Sequence, residues 1–336
     1  TGYNEKQAVT SHEFMVAAAN PYASRVGYNI LKKGGSAVDA AIAVQLVLTL
    51  VEPQSSGIGG GAFILHWDES QRKLTTFDGR ETAPKAATAN MFLDKSGKAI
   101  PWIQAVVGGR SVGVPGVLAS LKMAHDKYGR LPWSALFEDA IKLAERGFRV
   151  SPRLQMLVEM EYNPGVTKLD AARQYFFPDG RPLKAGDILK NPALAEVYKS
   201  LAKDGIKPFY QGWIAKSMVN AVQGSAIAPG ALAIEDLTNY QAVEREPVCG
   251  VYRAHKVCGM APPSSGGVTV LQILSLLEPY QLSKRPFEDV HTAHLFTQAS
   301  RLAFADRNRY IADADFVDVP VDRMLSAEYI KQRSKQ

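Results

Sequence analysis

The sequence contains no long hydrophobic run and no cluster of basic residues. Its longest nearly apolar run, Ala40 to Val51, has about twelve residues, whereas a helix that spans a bilayer needs about twenty. Lys and Arg outnumber Asp and Glu by 39 to 33, but they are scattered along the chain, and nucleic-acid binding needs a basic patch. We therefore predict no membrane span in this chain and no nucleic-acid partner.

No low-complexity linker or fixed-period repeat divides the chain, and its 46% hydrophobic and 21% charged residues are ordinary for a globular protein. We predict one domain over residues 1–336. The chain opens with Thr1-Gly2-Tyr3, without the charged and apolar regions of a signal peptide. An export signal is therefore expected either to have been removed or never to have existed.

Cysteine is scarce, since the chain has only Cys249 and Cys258. If Arg253-Ala254 form a two-residue hairpin loop, the cysteines face each other as a non-hydrogen-bonded pair of an antiparallel ladder, within reach of a disulfide. Arg-Ala is a poor turn sequence, however, so two buried free thiols are an equal alternative. The spacing of the two cysteines does not match a zinc site.

Hydrophobic periodicity and turn residues predict a chain of mixed helices and strands, with helices dominant. Ser36 and Asp39 have the spacing of a capping box, at the start of a helix that is apolar on nearly every face and must lie between layers. A hairpin is expected around Tyr252-Arg253. The expected helices are 21–33, 37–51, 117–128, 136–144, 268–277 and 288–311, and the expected strands are 63–67 and 74–77.

Two motifs resemble ligand-binding sites, one for a dinucleotide and one for a metal, but neither has the surrounding elements or residues that such a site needs. Gly57-x-Gly59-x-x-Ala62 matches the dinucleotide fingerprint, but a helix precedes it and a strand follows it, the reverse of the required order. His291 and His294 stand three residues apart on a predicted helix, without a carboxylate or a third histidine at matching spacing. We therefore predict no cofactor and no metal.

The segment Gly109-Arg-Ser111-Val-Gly113 is a literal Gly-x-Ser-x-Gly, the nucleophile elbow of α/β hydrolases. The apolar run Ile103 to Val107 precedes it, but an elbow leads directly into a helix, and Val112 to Gly116 intervene before helical periodicity begins. A turn at the end of a strand is the favoured alternative, and a serine hydrolase is the competing function. Its acid and base would come from Asp236 or Asp289 and from His291 or His294.

Arg80 is the sharpest binding candidate. It follows a strand-like run in the segment Phe77-Asp-Gly-Arg-Glu-Thr-Ala-Pro84, where Gly79 and Pro84 fix the shape of a loop. The planar guanidinium in such a loop would hold a carboxylate through two parallel hydrogen bonds. Taken alone, a surface salt bridge is the commoner role for an arginine of this kind.

Six collinear stretches resemble the large subunit of the gamma-glutamyltransferase family. The resemblance implies a precursor that cleaves itself into a large and a small subunit, which together form a four-layer αββα N-terminal-nucleophile hydrolase fold of class α+β. This chain would be the large, helix-rich part, completed by a small subunit that is not in this chain. The matching stretches are Gly34 to Ala41, Val51 to Gly61, Asp78 to Pro84, Ser111 to Gly116, Pro262 to Gly267 and Ala305 to Arg307.

The resemblance also implies roles for individual residues. The family nucleophile is the threonine that begins the small subunit, so no catalytic residue is expected in this chain, and Thr1 is an ordinary terminus. Arg80 matches the arginine that binds the α-carboxylate of the γ-glutamyl group, and the loop Ser55 to Gly61 is expected to pack under the site. The implied reaction transfers the γ-glutamyl group of glutathione-like substrates to water or to an amino-acid or peptide acceptor, in the periplasm or outside the cell.

Two alternatives stay open beside this interpretation. Cephalosporin or glutaryl acylases and poly-γ-glutamate depolymerases share much of the pattern, so the resemblance fixes the fold more firmly than the substrate. A large subunit that survives only as a binding module is disfavoured, because Arg80 is retained.

Overall fold

The computed structural model describes residues 7–284 and 289–336. Its helices are α1 Pro21–Lys32, α2 Ala37–Val51, α3 Trp102–Ala105, α4 Val117–Tyr128, α5 Glu138–Arg146, α6 Pro152–Glu159, α7 Gly165–Lys168, α8 Asp170–Phe176, α9 Pro192–Asp204, α10 Lys207–Tyr210, α11 Trp213–Gln223, α12 Ile234–Thr238, α13 Gly266–Leu277, α14 Val290–Tyr310, α15 Val321–Leu325 and α16 Ala327–Arg333. Its strands are β1 Ala62–Asp68, β2 Lys73–Gly79, β3 Phe148–Arg149, β4 Ile188–Leu189, β5 Val243–Arg245, β6 Val248–Tyr252 and β7 His255–Gly259.

The chain forms two compact units. The first consists of the chain up to Ala62 together with Gly79–Ala242, and the second consists of Phe63–Asp78 together with Val243–Gln336. The prediction of one domain completed by a small subunit stays a prediction. Mixed helix and sheet in the described residues agree with the predicted α+β class.

Helix α2 forms the centre of the first unit and has the predicted bounds. The backbone N–H of Asp39 donates to Ser36 Oγ at 3.1 Å, and the Ser36 N–H donates to Asp39 Oδ2 at 2.8 Å, so the predicted capping box is present. The helix contacts α1, α4 and α5, and the Tyr198 hydroxyl of α9 donates to the Leu46 carbonyl at 2.9 Å. One side of the helix is buried, through its own residues Val38, Asp39, Ala40, Ile42, Ala43, Leu46, Val47, Leu50 and Val51. The opposite side is less covered than predicted, because Ala37 and Ala41 are exposed and Val44, Gln45 and Leu48 are half-buried.

The second unit contains a three-stranded sheet in the order β1-β2-β5, and β2 and β5 run antiparallel. The predicted strands 63–67 and 74–77 lie within β1 and β2. Helices α13 and α14 pack on each other through an apolar cluster. That cluster contains Ile273, Leu276, Leu277, Ala299 and Ala303. Both helices were predicted, but residue 288, the expected start of the second, lies outside the described residues.

The hairpin β6–β7 pairs in the predicted register, with Tyr252 opposite His255 and Cys249 opposite Cys258. The two cysteines form a disulfide with their Cα atoms 4.1 Å apart. The alternative of two free thiols is therefore wrong. The turn tolerates Arg-Ala because Arg253 adopts a left-handed conformation with φ 54°, which non-glycine residues seldom take.

The region before Gly109 differs from the sequence-based expectation. The apolar run Ile103 to Val107 is not a strand, because its first half lies in the short helix α3. Gly109–Ser111 form a single 3-10 turn rather than a turn at the end of a strand. Among the residues that the structure describes, no helix is both long and apolar enough to cross a bilayer.

Candidate functional site

Arg80 lies immediately after β2, in an exposed loop whose start is shaped by close backbone contacts. A Cβ atom at Gly79 would lie 2.8 Å from the Gly116 carbonyl oxygen, and it would also overlap the Ser120 side chain. A Cβ atom at Gly61 would lie 2.9 Å from the Gly79 carbonyl oxygen. Real Cβ atoms do not come this close to backbone atoms, so the approach to Arg80 requires glycine at these positions.

Three hydrogen-bonded anchors hold the loop that follows. The Tyr240 hydroxyl donates to the Arg80 carbonyl at 2.7 Å. Thr82 and Val114 form an antiparallel bridge, in which the Val114 N–H donates to the Thr82 carbonyl at 2.8 Å. The Lys85 N–H donates to Asp236 Oδ1 at 2.9 Å. The backbone that carries Arg80 is therefore fixed at its own carbonyl and at two points downstream.

Tyr240 is itself held in place by a second tyrosine. Its ring stacks on Tyr210, with ring centroids 5.9 Å apart and an interplanar angle of 7°. The Tyr210 hydroxyl donates to the Pro115 carbonyl at 2.9 Å and accepts from the Ala119 N–H at 3.2 Å. Burial raises the pKa of Tyr210, so its hydroxyl stays protonated and able to donate. Sequence reasoning missed both tyrosines, because no motif links residues 210 and 240 to a loop 130 or more positions earlier.

The glycine loop Ser55 to Gly61 packs against the same segment. The Gly60 carbonyl accepts from the N–H groups of Gly116 and Val117, at 3.0 and 3.1 Å, where α4 begins. A Cβ atom at Gly61 would lie 2.8 Å from the carboxylate carbon of Glu81. The loop thus contacts the residues on both sides of Arg80, and its place under a substrate site stays a prediction.

Two open clefts lie beside the loop, and Thr82 and Ala83 line both of them. One has a volume of about 520 Å³ and is lined by Lys85, Asp236 and Tyr240 among others. The other, of about 460 Å³, has Glu81, Arg110 and Ser111 in its wall. Arg80 belongs to the wall of neither.

Ser111 does not have the geometry of a nucleophile elbow. It ends the 3-10 turn Gly109–Ser111, which follows a helix instead of a strand, and its hydroxyl donates to the Val106 carbonyl at 3.0 Å. The proposed acids have structural tasks, because Asp236 Oδ2 accepts from the Ala233 N–H before α12 and Asp289 caps α14. The serine-hydrolase hypothesis is therefore wrong on the local geometry of its own motif.

The remaining candidate ligands do not converge. His291 and His294 lie on α14 with Asp289 at its N-cap, where the Asp289 carboxylate accepts from the Thr292 N–H at 3.1 Å. Across residues 7–284 and 289–336, no group of three or more His, Cys, Asp or Glu side chains has the arrangement of a metal site.

The family model for gamma-glutamyltranspeptidase matches residues 23–336. The chain belongs to this family. It is 40% identical over 334 residues to the glutathione hydrolase proenzyme of Bacillus subtilis (strain 168), a match that covers 99% of this chain and 56% of the relative. It is also 34% identical over 339 residues to the acylase ACY 1 proenzyme of Pseudomonas sp. (strain V22), covering 98% of this chain and 59% of the relative.

A solved structure gives the same assignment for the fold. The gamma-glutamyltranspeptidase of Helicobacter pylori superimposes with a TM-score of 0.93 at 35% identity, covering 98% of this chain and 93% of that one. The chain therefore has the N-terminal-nucleophile hydrolase fold of this family, as the resemblance implied. It spans just over half the length of the proenzyme relatives, 56% in the Bacillus case.

Proposed function

We propose that this chain is the large subunit of a gamma-glutamyltransferase or glutathione hydrolase. The complete enzyme would transfer the γ-glutamyl group of glutathione-like donors to water or to an amino-acid or peptide acceptor. The observation that carries the proposal is the Arg80 loop: an arginine at the end of β2, on a backbone anchored by Tyr240, Thr82 and Lys85, in a chain of this family.

Arg80 would supply recognition of the donor. Its guanidinium is a planar fork that pairs with a carboxylate through two parallel hydrogen bonds. Binding the α-carboxylate of the γ-glutamyl group would fix the distance from that end of the donor to the γ-carbonyl. Such alignment accelerates acyl transfer, because the reacting atoms must be held close to their geometry of attack.

The nucleophile would come from a partner chain. In the family chemistry the first threonine of the small subunit uses its own α-amine as the base for its hydroxyl, which attacks the γ-amide carbonyl. The carbonyl carbon bonds to the threonine oxygen, the amine leaves with the proton, and water or an acceptor amine later releases the γ-glutamyl group. No catalytic residue is proposed in this chain, and neither a metal nor a cofactor is needed for these steps.

Two observations support a heterodimer with a small subunit from the same precursor. The match covers 56% of the Bacillus proenzyme but 93% of the solved Helicobacter chain, so in that protein a separate chain corresponds to this one. Helix α14 also exposes apolar side chains. Val290, Phe296 and Phe304 are 82%, 55% and 51% exposed, as expected of a surface that a partner covers.

We further propose a periplasmic or secreted location. The Cys249–Cys258 disulfide supports it, because disulfides form and persist in oxidising compartments and are rare in the cytosol. Fractionation of the source cells, with a cytosolic marker as control, tests this location directly.

The acylase alternative is favoured by one observation, the 34% identity to the ACY 1 proenzyme. Arg80 alone does not separate the two functions, because a glutaryl group carries a carboxylate at the same position as the α-carboxylate of a γ-glutamyl group. The two donors differ in the α-amine, which the glutaryl group lacks. The substrate classes are therefore distinguished by the amine rather than by the arginine.

The decisive experiment uses the complete precursor after maturation into its two chains. We expect rapid release of p-nitroaniline from L-γ-glutamyl-p-nitroanilide and slow release from glutaryl-p-nitroanilide, with acceleration of the first reaction by glycylglycine. Preference for the glutaryl substrate would support the acylase instead. Failure to turn over either substrate, with both chains present and assembled, would refute the proposed enzymatic function.

A further inference from the structure

We propose that Tyr240 is a positioning residue for Arg80. Its hydroxyl holds the Arg80 carbonyl at 2.7 Å and thereby fixes the backbone from which the carboxylate-binding guanidinium projects. The inference rests on the proposed function, in which Arg80 binds the α-carboxylate of the donor. Tyr240 contacts neither the donor nor the reacting atoms in this scheme, so its effect passes entirely through Arg80.

The need for such a contact follows from where Arg80 stands. The pairing of β2 with β5 runs through Thr76, Phe77 and Asp78, and β2 ends at Gly79. Arg80 is therefore the first residue after the strand and lies beyond its pairing with β5. A small rotation of the backbone at Arg80 moves the guanidinium, at the end of a long side chain, by a larger distance. Misplacement of the guanidinium weakens its hydrogen bonds to a carboxylate, because hydrogen bonds depend steeply on distance and angle. A hydrogen bond to the Arg80 carbonyl acts at the point where sheet pairing no longer does.

The structure gives Tyr240 the rigidity that this role requires. Its ring is stacked on Tyr210, which is buried and bonded to Pro115 and Ala119. The Tyr240 hydroxyl also packs against Gly116, where any Cβ atom would overlap it. Gly116 in turn contacts Gly79, the residue before Arg80. The hydroxyl is thus enclosed between the backbone of Gly116 and the carbonyl that it binds.

Tyr240→Phe tests this contact, because it removes the hydroxyl that binds the Arg80 carbonyl and keeps the ring that stacks on Tyr210. In the mature two-chain protein we expect a three- to tenfold loss of kcat/KM for L-γ-glutamyl-p-nitroanilide, about the size of one neutral hydrogen bond. The loss should appear mainly as a higher KM, since the contact orients a group that binds the ground state. With 4-aminobutyryl-p-nitroanilide, which keeps the amine and lacks the α-carboxylate, the variant should match the parent.

Tyr198→Phe provides a matched control. The Tyr198 hydroxyl also donates to a backbone carbonyl, that of Leu46 at 2.9 Å, but it lies in the core around α2. Its loss should lower Tm and leave KM for both substrates unchanged. A general loss of stability in Tyr240→Phe would resemble this control, whereas a positioning role changes KM for the γ-glutamyl substrate alone.

A double-variant cycle separates this inference from the proposed role of Arg80. If Tyr240 acts through Arg80, adding Tyr240→Phe to Arg80→Ala should cause no further loss. If Arg80→Ala itself left kcat/KM for L-γ-glutamyl-p-nitroanilide unchanged, the proposed role of Arg80 would be wrong, and this inference would be wrong as well. Two outcomes would overturn the inference about Tyr240 alone. In the first, Arg80→Ala lowers kcat/KM and Tyr240→Phe leaves it unchanged. In the second, Tyr240→Phe lowers kcat/KM by the same factor with and without Arg80→Ala.

Discussion

Arg245 donates through Nε to the carboxylate of Asp78 at 2.7 Å, two residues before Arg80. Its terminal nitrogens donate to both carboxylate oxygens of Asp315, at 3.0 and 2.6 Å. The two acids differ in environment, because the Asp78 side chain is 6% exposed and the Asp315 side chain is 55% exposed. Arg245 on β5 therefore forms a buried ion pair with Asp78 on β2 and a second ion pair with the solvent-exposed Asp315.

The first prediction concerns these two pairs. Arg245→Ala should destabilise the protein by about 3 kcal/mol, because it leaves the buried Asp78 charge without this partner. Asp315→Asn should cost less than about 1 kcal/mol, because exposed ion pairs contribute little. Thermal unfolding of the two variants measures the difference, which should appear as a drop in Tm of several degrees for Arg245→Ala only.

The pH dependence of the Asp315 effect provides an internal check. Arg245 holds the pKa of Asp315 below its usual value. A depressed acid pKa contributes stability above the unfolded-state pKa of about 4 and loses it as the pH falls through the folded pKa. The small difference between Asp315→Asn and the parent should therefore vanish in acid. An equal destabilisation by both variants at neutral pH would contradict the assignment of the buried pair as the stronger one.

The sequence predicted those elements whose determinants are local. Helix α2 has both of its predicted ends, because Ser36 and Asp39 cap one end and Pro53 follows the other. The hairpin register followed from counting outward from Arg253-Ala254. By contrast, the run Ile103 to Val107 was too short for its periodicity to separate strand from helix, and its first half is helical.

The sequence pointed to two parts of the candidate site, Arg80 and the glycine loop Ser55 to Gly61, but not to the residues that anchor the Arg80 loop. Arg80 was recognised from the motif around it, whereas the residues that fix its loop come from positions 114, 236 and 240. Each of these contacts joins the loop to a distant part of the chain. Neither a tyrosine at a loop position nor an aspartate in the first turn of α12 carries a local signal of such a partner. The role of Arg80 as a carboxylate ligand stays a prediction.

A second prediction concerns Ser111. Its hydroxyl donates to a backbone carbonyl in a 3-10 turn, so Ser111→Ala should keep activity within about tenfold of the parent. Removal of a true nucleophile costs several orders of magnitude. The measurement is hydrolysis of L-γ-glutamyl-p-nitroanilide by the mature two-chain protein. A thousandfold or greater loss of this hydrolysis, in a protein that still assembles, would show that Ser111 takes part in the reaction.

A third prediction tests the exposed apolar side chains of α14. Phe304→Glu would bury a charge if the small subunit covers the face of the helix that carries Phe304, which is costly without a partner for that charge. We expect the variant precursor to give less assembled heterodimer on size-exclusion chromatography. Phe316→Glu is a matched control, because Phe316 is 85% exposed and lies beyond the end of α14. Equal assembly of Phe304→Glu and the parent would exclude this face from the subunit interface.

The last prediction separates charge from geometry at Arg80. Arg80→Lys keeps the positive charge but loses the planar fork, so one of the two parallel bonds to a carboxylate cannot be reproduced. Hydrogen bonds to charged groups are worth about 1.5 to 3 kcal/mol each, so kcat/KM for L-γ-glutamyl-p-nitroanilide should fall about ten- to a hundredfold, and further for Arg80→Ala. The 4-aminobutyryl substrate should be poor with the parent and nearly indifferent to both changes, because the contact being removed is already absent. If Arg80→Ala slowed the two substrates equally, the arginine would support the fold of its loop instead of binding the donor.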